Sequence, residues 1–336
     1  MNNEVMVVGI DVSMDDFHAC IKAKNESGKV TIKGTRTFQN TVNGFEKLHQ
    51  WALDRKRSNT DLSFVMEATG VYYEDLAYFL HSKKERVAVV LANRMKGYAK
   101  SLNVKTKTDK VDAKIIAGFG IERNLIEWKP MSPVYRELRD YCRELLSTKK
   151  EMTRARNQLH ALLKAHGKSS EIINLKKKQI AFYEKRIETI RKKLNQIVDK
   201  DPVLKRKLDQ LESIPGIGFE TAVILASETN GFELFTSIRQ LVSYAGLDIA
   251  FNESGKFKGK TSITKKGNSR IRQVLFMPAM SAARCNESIK NLYERVCDRN
   301  PDIKRKGVVA GMRKLLIFAF VIWKKDIEYD RNYQWS

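Results

Sequence analysis

Short apolar runs alternate with helical patterns in the first 122 residues of the chain. Three runs follow one another directly, at residues 5–12, 17–23 and 30–38, and two more, at 62–66 and 86–92, each come after a stretch with helical spacing. Apolar runs of this length that end in turn signals are typical of strands. Strands in this order, with helices between the later ones, predict a mixed sheet with helices packed on it, which is an α/β fold.

Four acidic residues stand where these elements begin or end. Asp11 lies near the end of the first strand, Glu67 follows the fourth, and Asp109 and Asp112 lie at the start of a helix predicted at 112–122. Asp109 and Asp112 can share one helix face, although acidic residues also occur at exposed helix starts, where they favour the positive end of the dipole. If the first and fourth strands are neighbours, all four carboxylates can meet at one end of the sheet.

This set of carboxylates predicts a site for hard cations. Oxygen ligands without histidine or cysteine suit Mg²⁺ or Mn²⁺. Two such ions about 4 Å apart can cleave a phosphodiester, because they stabilise both the entering and the leaving oxygen. Paired carboxylates also hydrolyse glycosides, but that chemistry leaves the fourth acid and the charge of the chain unexplained.

The charge of the chain points to a polyanionic partner. Its 336 residues hold 62 Lys and Arg against 39 Asp and Glu, a formal net charge of +23. Nucleic acid is the commonest partner of so basic a protein. A membrane surface is the alternative, but the longest apolar run, at 315–323, is less than half of the roughly 20 residues that a spanning helix needs, and it predicts a buried core helix.

Cysteine and histidine usage and the first residues argue against other classes of protein. The four cysteines are scattered without a Cys-x-x-Cys pair, and the five histidines have no ligand spacing. This pattern argues against a disulfide framework and against a structural zinc site. The first residues lack the basic start and apolar segment of a signal peptide. A reduced cytoplasm is therefore the expected location.

Residues 133–199 are long, charged, helix-forming sequence. Apolar residues recur there at three- and four-residue steps, which predicts two long amphipathic helices, broken near 167–170, that pack as an antiparallel pair or a coiled coil. The basic residues along them either form a solvated face or follow phosphates. The expected division is a catalytic α/β domain at 1–130, a helical, coiled-coil dimerisation segment at 131–200, and a mainly α C-terminal domain at 201–336.

Two further features lie in the C-terminal part. The glycine turn at 213–218 resembles a helix-hairpin-helix element, in which backbone N–H groups at Gly216 and Gly218 can hold a phosphate. A tight turn in a helical domain is the alternative. The basic segment 248–268 contains Ser254, which by composition alone is a turn residue. Residues 255–261 look like a P-loop, but three residues separate the glycines where four are required, so ATP binding is not expected.

In this order, the motifs resemble the transposases of the insertion sequence 110 family, bridge-RNA-guided serine recombinases with a ribonuclease H-like, RuvC-type catalytic domain. The four acidic residues look like the DEDD tetrad of that domain. The resemblance extends over nearly the whole chain and is carried by these segments: Gly9-Ile10-Asp11, Glu67-Ala68-Thr69-Gly70, Thr108-Asp109-x-x-Asp112-Ala113, Ser213-Ile214-Pro215-Gly216-Ile217-Gly218, Tyr244-Ala245-Gly246-Leu247, Glu253-Ser254-Gly255, Lys265-Lys266-Gly267 and Met277-Pro278-Ala279-Met280.

The resemblance implies a role for these residues. The DEDD carboxylates hold Mg²⁺ or Mn²⁺, two ions per site, and Ser254 attacks the DNA backbone to form a phosphoserine linkage, for which its hydroxyl needs activation by a base or a metal. A structured non-coding guide RNA pairs with donor and target DNA, and dimers join into a tetramer in which the serine can reach the metal site of another protomer. Nucleic-acid contacts are expected at Lys105, Lys107, Gly216, Gly218, Lys256, Lys258, Lys265, Lys266 and Arg270.

Three other functions stay open. A junction-resolving nuclease of the same fold would use water as its nucleophile and leave Ser254 structural. A site-specific DNA invertase of the same superfamily would share these residues. A nucleic-acid-binding protein without catalysis is disfavoured, because four clustered carboxylates weaken phosphate binding unless a metal is present.

Overall fold

A computed structural model describes residues 4–57, 60–68, 70–104, 108–250, 253–254, 257–259 and 261–332. The chain divides into two compact units, Met1–Pro130 and Met131–Ser336. Each unit is described by itself below. The first is a mixed α/β unit, and the second is mainly helical.

The N-terminal unit is built on a five-stranded sheet in which the described strands lie in the order β3-β2-β1-β4-β5. Strands β1, β2 and β3 form an antiparallel meander, whereas β4 pairs parallel with β1, and β5 pairs parallel with β4. The mixed sheet predicted from the sequence is confirmed, and its order fits a ribonuclease H-like domain. The strands are β1 Glu4–Val12, β2 Asp16–Lys24, β3 Val30–Gln39, β4 Thr60–Ala68 and β5 Arg86–Leu91.

Helices cover the sheet, and alternation along each strand divides the core into two layers. Ile10 and Met66 lie in a layer with apolar side chains of α1 and α2, while Val7 and Val65 lie in another layer with side chains of α3 and α4. Odd-numbered residues of β1 therefore belong to the α4 side of the sheet. The helices are α1 Val42–Leu53, α2 Glu74–Ser82, α3 Ala92–Ser101 and α4 Asp109–Glu122.

The C-terminal unit is mainly helical, with four two-residue strands among the described residues. Its helices share one apolar core, to which the run predicted as a core helix contributes the buried Leu315, Phe318 and Trp323 of α12. The elements are α5 Pro133–Lys164, α6 Ser170–Asp199, α7 Pro202–Glu212, α8 Phe219–Glu228, α9 Ile238–Ala245, β6 Ile249–Ala250, β7 Glu253–Ser254, β8 Phe257–Lys258, β9 Ser262–Ile263, α10 Ser269–Cys285, α11 Glu287–Asp298 and α12 Arg305–Lys325.

The long helices α5 and α6 form an antiparallel pair. Arg156 Nη2 lies 2.7 Å from Glu184 Oε1, and Arg186 Nη2 lies 2.8 Å from Glu144 Oε1, so later residues of one helix meet earlier residues of the other. Leu145 and other buried residues of α5 and α6 belong to the same core as α7 to α12. The antiparallel alternative is thus observed, while a coiled-coil supercoil and a domain boundary near residue 200 stay predictions.

In the part of the chain that the structure describes, none of the helices combines the length and apolarity needed to cross a membrane.

Candidate active site and nucleic-acid interface

The register of the sheet brings Asp11 and Glu67 together. In the parallel ladder of β1 and β4, Gly9 pairs with Val65 and Ile10 pairs with Met66. The next position in each strand is Asp11 in β1 and Glu67 in β4, and both residues are partly buried. Neighbouring strands lie about 4.8 Å apart, and residues at matching positions point to the same face. These two carboxylates therefore stand side by side at the carboxyl ends of adjacent strands.

Helix α4 crosses this face antiparallel to β1. A Cβ atom added at Gly9 would lie 2.1 Å from the backbone nitrogen of Ala117 and 2.5 Å from the carbonyl oxygen of Ala113, and one added at Gly120 would lie 2.7 Å from Cγ1 of Val7. Later helix residues thus face earlier strand residues. The first turn of α4 must then lie toward the carboxyl end of β1.

Similar distances along α4 and along β1, both counted from the contact at Gly9, place the four carboxylates at one edge of the sheet. Asp109 precedes Ala113 by four residues, which is about 6 Å along a helix. Asp11 follows Gly9 by two residues, which is about 6.6 Å along a strand and returns to the same face. The first turn of α4, which carries Asp109 and Asp112, therefore lies at the edge where Asp11 and Glu67 stand near the ends of their strands.

The start of α4 differs from the prediction. The helix begins at Asp109, three residues before the predicted start at Asp112, because Thr108 caps it: the Thr108 hydroxyl accepts the N–H of Val111 at 3.4 Å. Both acidic residues are consequently helical, and both lie in the first turn, where the helix dipole favours negative charge. The Asp109 residue is exposed and Asp112 is partly buried.

The donor set fits a hard divalent cation in its chemistry. Carboxylate oxygens are the ligands that Mg²⁺ and Mn²⁺ prefer, and a cation between them offsets the repulsion of like charges. As placed, no three His, Cys, Asp or Glu side chains within the described ranges form a group that could hold a metal ion. The four acids thus share an edge without forming a closed coordination shell.

The cysteine that packs against α4, Cys20, is a neutral core residue. Cys20 is fully buried against Ala113 and Ala117. Burial raises the pKa of its thiol, which the nearby Lys22 and Lys114 only partly oppose. A thiol with a raised pKa is a poor metal ligand and a poor nucleophile. The Cys20 thiol is therefore not a candidate ligand or nucleophile for this edge.

Sequence reasoning missed Gly9 as a residue of the site. Its role is the close approach of the α4 backbone, which no side chain at this position would permit. A glycine inside a strand pattern is a general signal of such an approach. Here that signal stands two residues before Asp11, in the Gly9-Ile10-Asp11 motif.

Ser254 lies in the C-terminal unit, on the small strand β7, and it is exposed. It pairs with Phe257 of β8 in a two-stranded hairpin. The longer segment that carries this hairpin is closed at its base by β6 and β9, where Ile249 pairs with Ile263. An exposed hydroxyl on such a hairpin is accessible to a large substrate.

Several predicted nucleic-acid contacts lie on the turn that ends this segment. Lys265, Lys266 and Arg270 are exposed there, between β9 and the first turn of α10. Lys258 belongs to β8. The predicted contacts Lys105, Lys107 and Lys256 lie outside the described residues.

The glycine turn between α7 and α8 packs against the helical core. Gly216 has φ +107°, and a Cβ there would lie 2.8 Å from Cβ of Ala282 and 3.0 Å from the carbonyl oxygen of Pro278. The close contact with α10 thus explains why this position has no side chain. Gly218 is exposed in front of α8, whose first-turn residue Glu220 is paired with Lys149 and Arg191. A phosphate-holding role for Gly216 and Gly218 stays a prediction.

Two family models match the chain. One, described as a transposase and named for the DEDD transposases of IS110, matches residues 8–167. The other, described as "Transposase IS116/IS110/IS902 family", matches residues 208–294. The first range contains the four carboxylates of the sheet edge, and the second contains Ser254.

Curated relatives and solved structures are also similar to the chain. The pilin gene-inverting proteins of Moraxella bovis and Moraxella lacunata are each 28% identical over 326 residues, which is 97% of this chain and 98% of each relative. RuvC of Thermus thermophilus is 12% identical, with a TM-score of 0.28 over 37% of this chain and 99% of that one. The fowlpox virus Holliday junction resolvase is 16% identical, with a TM-score of 0.24 over 34% of this chain and 94% of that one.

The two family matches are consecutive, and between them they contain both the acidic edge and the serine-bearing segment. Their order along the chain is the order in which the motifs occur in the sequence. The chain therefore belongs to the IS116/IS110/IS902 family of transposases, and it is a DNA transposase/recombinase enzyme.

Proposed function

We propose that this transposase cuts and rejoins DNA through a covalent phosphoserine intermediate on Ser254, with divalent metal held by Asp11, Glu67, Asp109 and Asp112. The observation that carries the metal half of the proposal is the common edge of β1, β4 and α4, at which the four carboxylates lie. The proposed cofactor is Mg²⁺ or Mn²⁺, two ions per site.

The four acidic residues are held by two different kinds of contact, and these contacts give each carboxylate a defined position at the edge. Asp11 and Glu67 are fixed by strand register, while Asp109 and Asp112 are fixed by the contact of α4 with Gly9. When bound, divalent metal supplies positive charge that stabilises the entering and leaving oxygens of a phosphodiester. The protein's own contribution would be to hold the four carboxylates at one edge, where they would bind the metal.

The proposed serine chemistry conserves phosphoester bonds. The Ser254 oxygen forms a bond to phosphorus, the bond from phosphorus to one deoxyribose oxygen breaks, and the leaving oxygen takes up a proton as the serine gives one up. Attack by a hydroxyl of another DNA end reverses these steps and releases the serine. The exposed position of Ser254 on β7 supports this role, because the backbone of duplex DNA can reach it.

The proposed partners are donor DNA, target DNA and a structured non-coding guide RNA. The net charge of +23 and the exposed Lys265, Lys266 and Arg270 beside the serine segment support binding to nucleic-acid backbones. The guide RNA and the assembly of homodimers into a tetramer rest on the family resemblance. The proposed location, the cytoplasm at the bacterial or archaeal nucleoid, rests on cysteine usage together with that resemblance. The antiparallel pair α5–α6 is the proposed dimerisation element.

A second candidate is site-specific DNA inversion. It is favoured by the similarity to two proteins named pilin gene-inverting protein, which extends over nearly the full length of both chains. Inversion and transposition need the same cutting and rejoining steps, and they differ in the arrangement of the DNA sites. Substrates with two sites in inverted orientation, compared with substrates that carry a donor and a separate target, distinguish these two outcomes.

The test is a cleavage assay with Mg²⁺, the element's flanking RNA and its junction DNA, resolved on a denaturing gel. Wild type is compared with Ser254→Ala and with Ser262→Ala, a control on the exposed strand β9 of the same segment. We expect a protein–DNA adduct that needs metal and Ser254 but not Ser262. Cleavage without an adduct, unchanged in Ser254→Ala, would instead establish a metal-dependent junction nuclease that uses water. Omission of the RNA tests guidance separately.

A further inference from the structure

We propose that the buried carboxylate of Glu228, held by Arg143, is a positioning residue for the nucleophile, because it fixes the base of the segment that carries Ser254. This inference rests on the proposed function, in which Ser254 attacks DNA. Glu228 ends α8 and Arg143 belongs to α5, so neither residue is part of the segment itself.

The base of the segment is closed by a ladder of hydrogen bonds to the end of α9. The N–H of Thr264 donates to the Asp248 carbonyl at 2.9 Å, and the N–H of Lys265 donates to the Gly246 carbonyl at 3.1 Å. The N–H of Asn268 donates to the Tyr244 carbonyl at 2.6 Å. The two ends of the segment are thereby held against each other.

Glycines bring the two backbones into close contact at this point. A Cβ at Gly267 would lie 2.3 Å from the Tyr244 carbonyl oxygen. Gly246 has φ +64°, and a Cβ there would lie 3.0 Å from the carbonyl carbon of Lys265. A side chain at Gly246 or Gly267 is therefore excluded, and the closure is oriented by the groups around it.

Asn268 joins this closure to Glu228. Its side-chain nitrogen Nδ2 donates to Glu228 Oε2 at 2.7 Å, while its side-chain oxygen Oδ1 accepts from Arg270 N at 3.0 Å and caps α10. Tyr244 adds a second link, because its hydroxyl donates to the Glu228 backbone carbonyl at 3.1 Å. Both sides of the closed base thus bond to one residue at the end of α8.

Arg143 keeps Glu228 charged and oriented. It donates Nε to Oε1 at 2.8 Å and Nη2 to Oε2 at 3.0 Å, a two-point contact with a side chain that is 1% exposed. Burial alone would raise the pKa of the Glu228 carboxyl, but donation from Arg143 and Asn268 outweighs it, and the pKa ends below its ordinary value. Arg270 Nε lies 3.9 Å from the same carboxylate.

A positioning role explains why a charge is buried here. A buried ion pair gains little or no stability over apolar residues of the same volume, and its best-attested use is to select one arrangement among several. The two-point guanidinium contact fixes the plane of the carboxylate. That plane sets where Asn268 must lie, and with it the entry of the segment into α10.

The test compares Glu228→Gln with Glu220→Gln, a carboxylate on the same helix that is also paired with a cation of α5, but through Lys149. We expect Glu228→Gln to slow Ser254–DNA adduct formation at least tenfold at an equal folded fraction, and Glu220→Gln to change it less than twofold. Hydrogen exchange gives a readout independent of activity: the amides of Thr264, Lys265 and Asn268 should exchange at least tenfold faster in Glu228→Gln only.

A second variant keeps the test decisive if Glu228→Gln folds poorly. Asn268→Ser retains a good N-cap for α10 but shortens the side chain that reaches Glu228, and it leaves the Arg143 pair intact. The same losses are expected. Wild-type adduct formation in a folded variant, or slower adduct formation with unchanged exchange of the three amides, would overturn the positioning role. Absence of any Ser254 adduct in the wild type would overturn the proposed function instead.

Discussion

Gly9→Ala tests the contact that sets the acidic edge. The added methyl group would lie 2.1 Å from the Ala117 nitrogen and 2.5 Å from the Ala113 oxygen, and both atoms are backbone. An ordinary contact is about 3.5 Å, so α4 would have to retreat by roughly 1.4 Å. Overpacking of this kind costs about 1–3 kcal/mol, and backbone cannot relieve it by changing rotamer.

The consequence for catalysis follows from the same displacement. Asp109 and Asp112 move with the helix while Asp11 stays on its strand, and a misplacement of about 1 Å can lower a rate on the order of 100-fold. We therefore expect Gly9→Ala to lower metal-dependent DNA cleavage by about that factor, measured beside the free energy of unfolding in urea.

Gly97→Ala is the matched control. Gly97 is exposed on α3, and nothing lies within 4 Å of a Cβ added there. Alanine in a helix is favoured over glycine by up to about 1 kcal/mol, so this variant should be at least as stable as the wild type and should cleave normally. Wild-type stability and cleavage in Gly9→Ala would refute the close approach of α4 to β1 and the geometry derived from it.

Three further outcomes are expected. Asp112→Asn should abolish metal-dependent cleavage but preserve or strengthen metal-free DNA binding, measured by filter binding, because it removes a negative charge; retained cleavage would remove Asp112 from the metal ligands. The pKa values of Glu228 and Glu220 are lowered in the folded protein. Their stabilising contribution is therefore present above the unfolded glutamate pKa of about 4.3, and it is lost as the pH falls through the folded values. The Tm should drop below about pH 4.3, by less in Glu228→Gln than in the wild type, and a Tm that stays constant from pH 3 to 7 would contradict this. Arg156→Ala, which breaks a pair with Glu184 in which both side chains are 54% exposed, should change the urea unfolding free energy by less than about 1 kcal/mol, and a larger loss would show that the pair is not a simple surface contact.

The sheet and its acidic edge were predictable because local pattern carries most of that information. The five strands agree with the apolar runs to within a few residues, and Asp11 and Glu67 stand at strand ends as expected. The hydrophobic pattern of the sequence could not show that β1 and β4 are neighbours, because their pairing depends on contacts between residues more than 50 positions apart. The start of α4 was misplaced because the capping hydroxyl of Thr108 acts before the apolar periodicity begins.

The surroundings of Ser254 were less predictable for a related reason. Glu228 and Arg143 are 85 residues apart, and each sits in a helix whose sequence gives no sign of the other. A buried carboxylate looks like any other acidic residue until its partner is known, since burial is a property of packing. Similarly, Gly216 suggested phosphate binding from its turn motif, whereas its φ of +107° and its contact with Ala282 are properties of the folded chain.

A recombinase, a junction nuclease and a nucleic-acid-binding protein without catalysis predict different results for variants of the two units, so these variants separate them. If the protein is a recombinase, loss of Asp112 and loss of Ser254 each abolish the adduct, and only the first can also strengthen metal-free binding to DNA, because only it changes the charge. If it is a junction nuclease, Asp112→Asn abolishes cleavage and Ser254→Ala does not. If it only binds nucleic acid, Asp112→Asn strengthens binding and no strand is cut by any variant. The acidic edge argues against binding without catalysis. Two carboxylates from strands and two from a helix lie at one edge of a protein whose net charge is +23. Such a group of like charges opposes phosphate binding unless a cation binds between them.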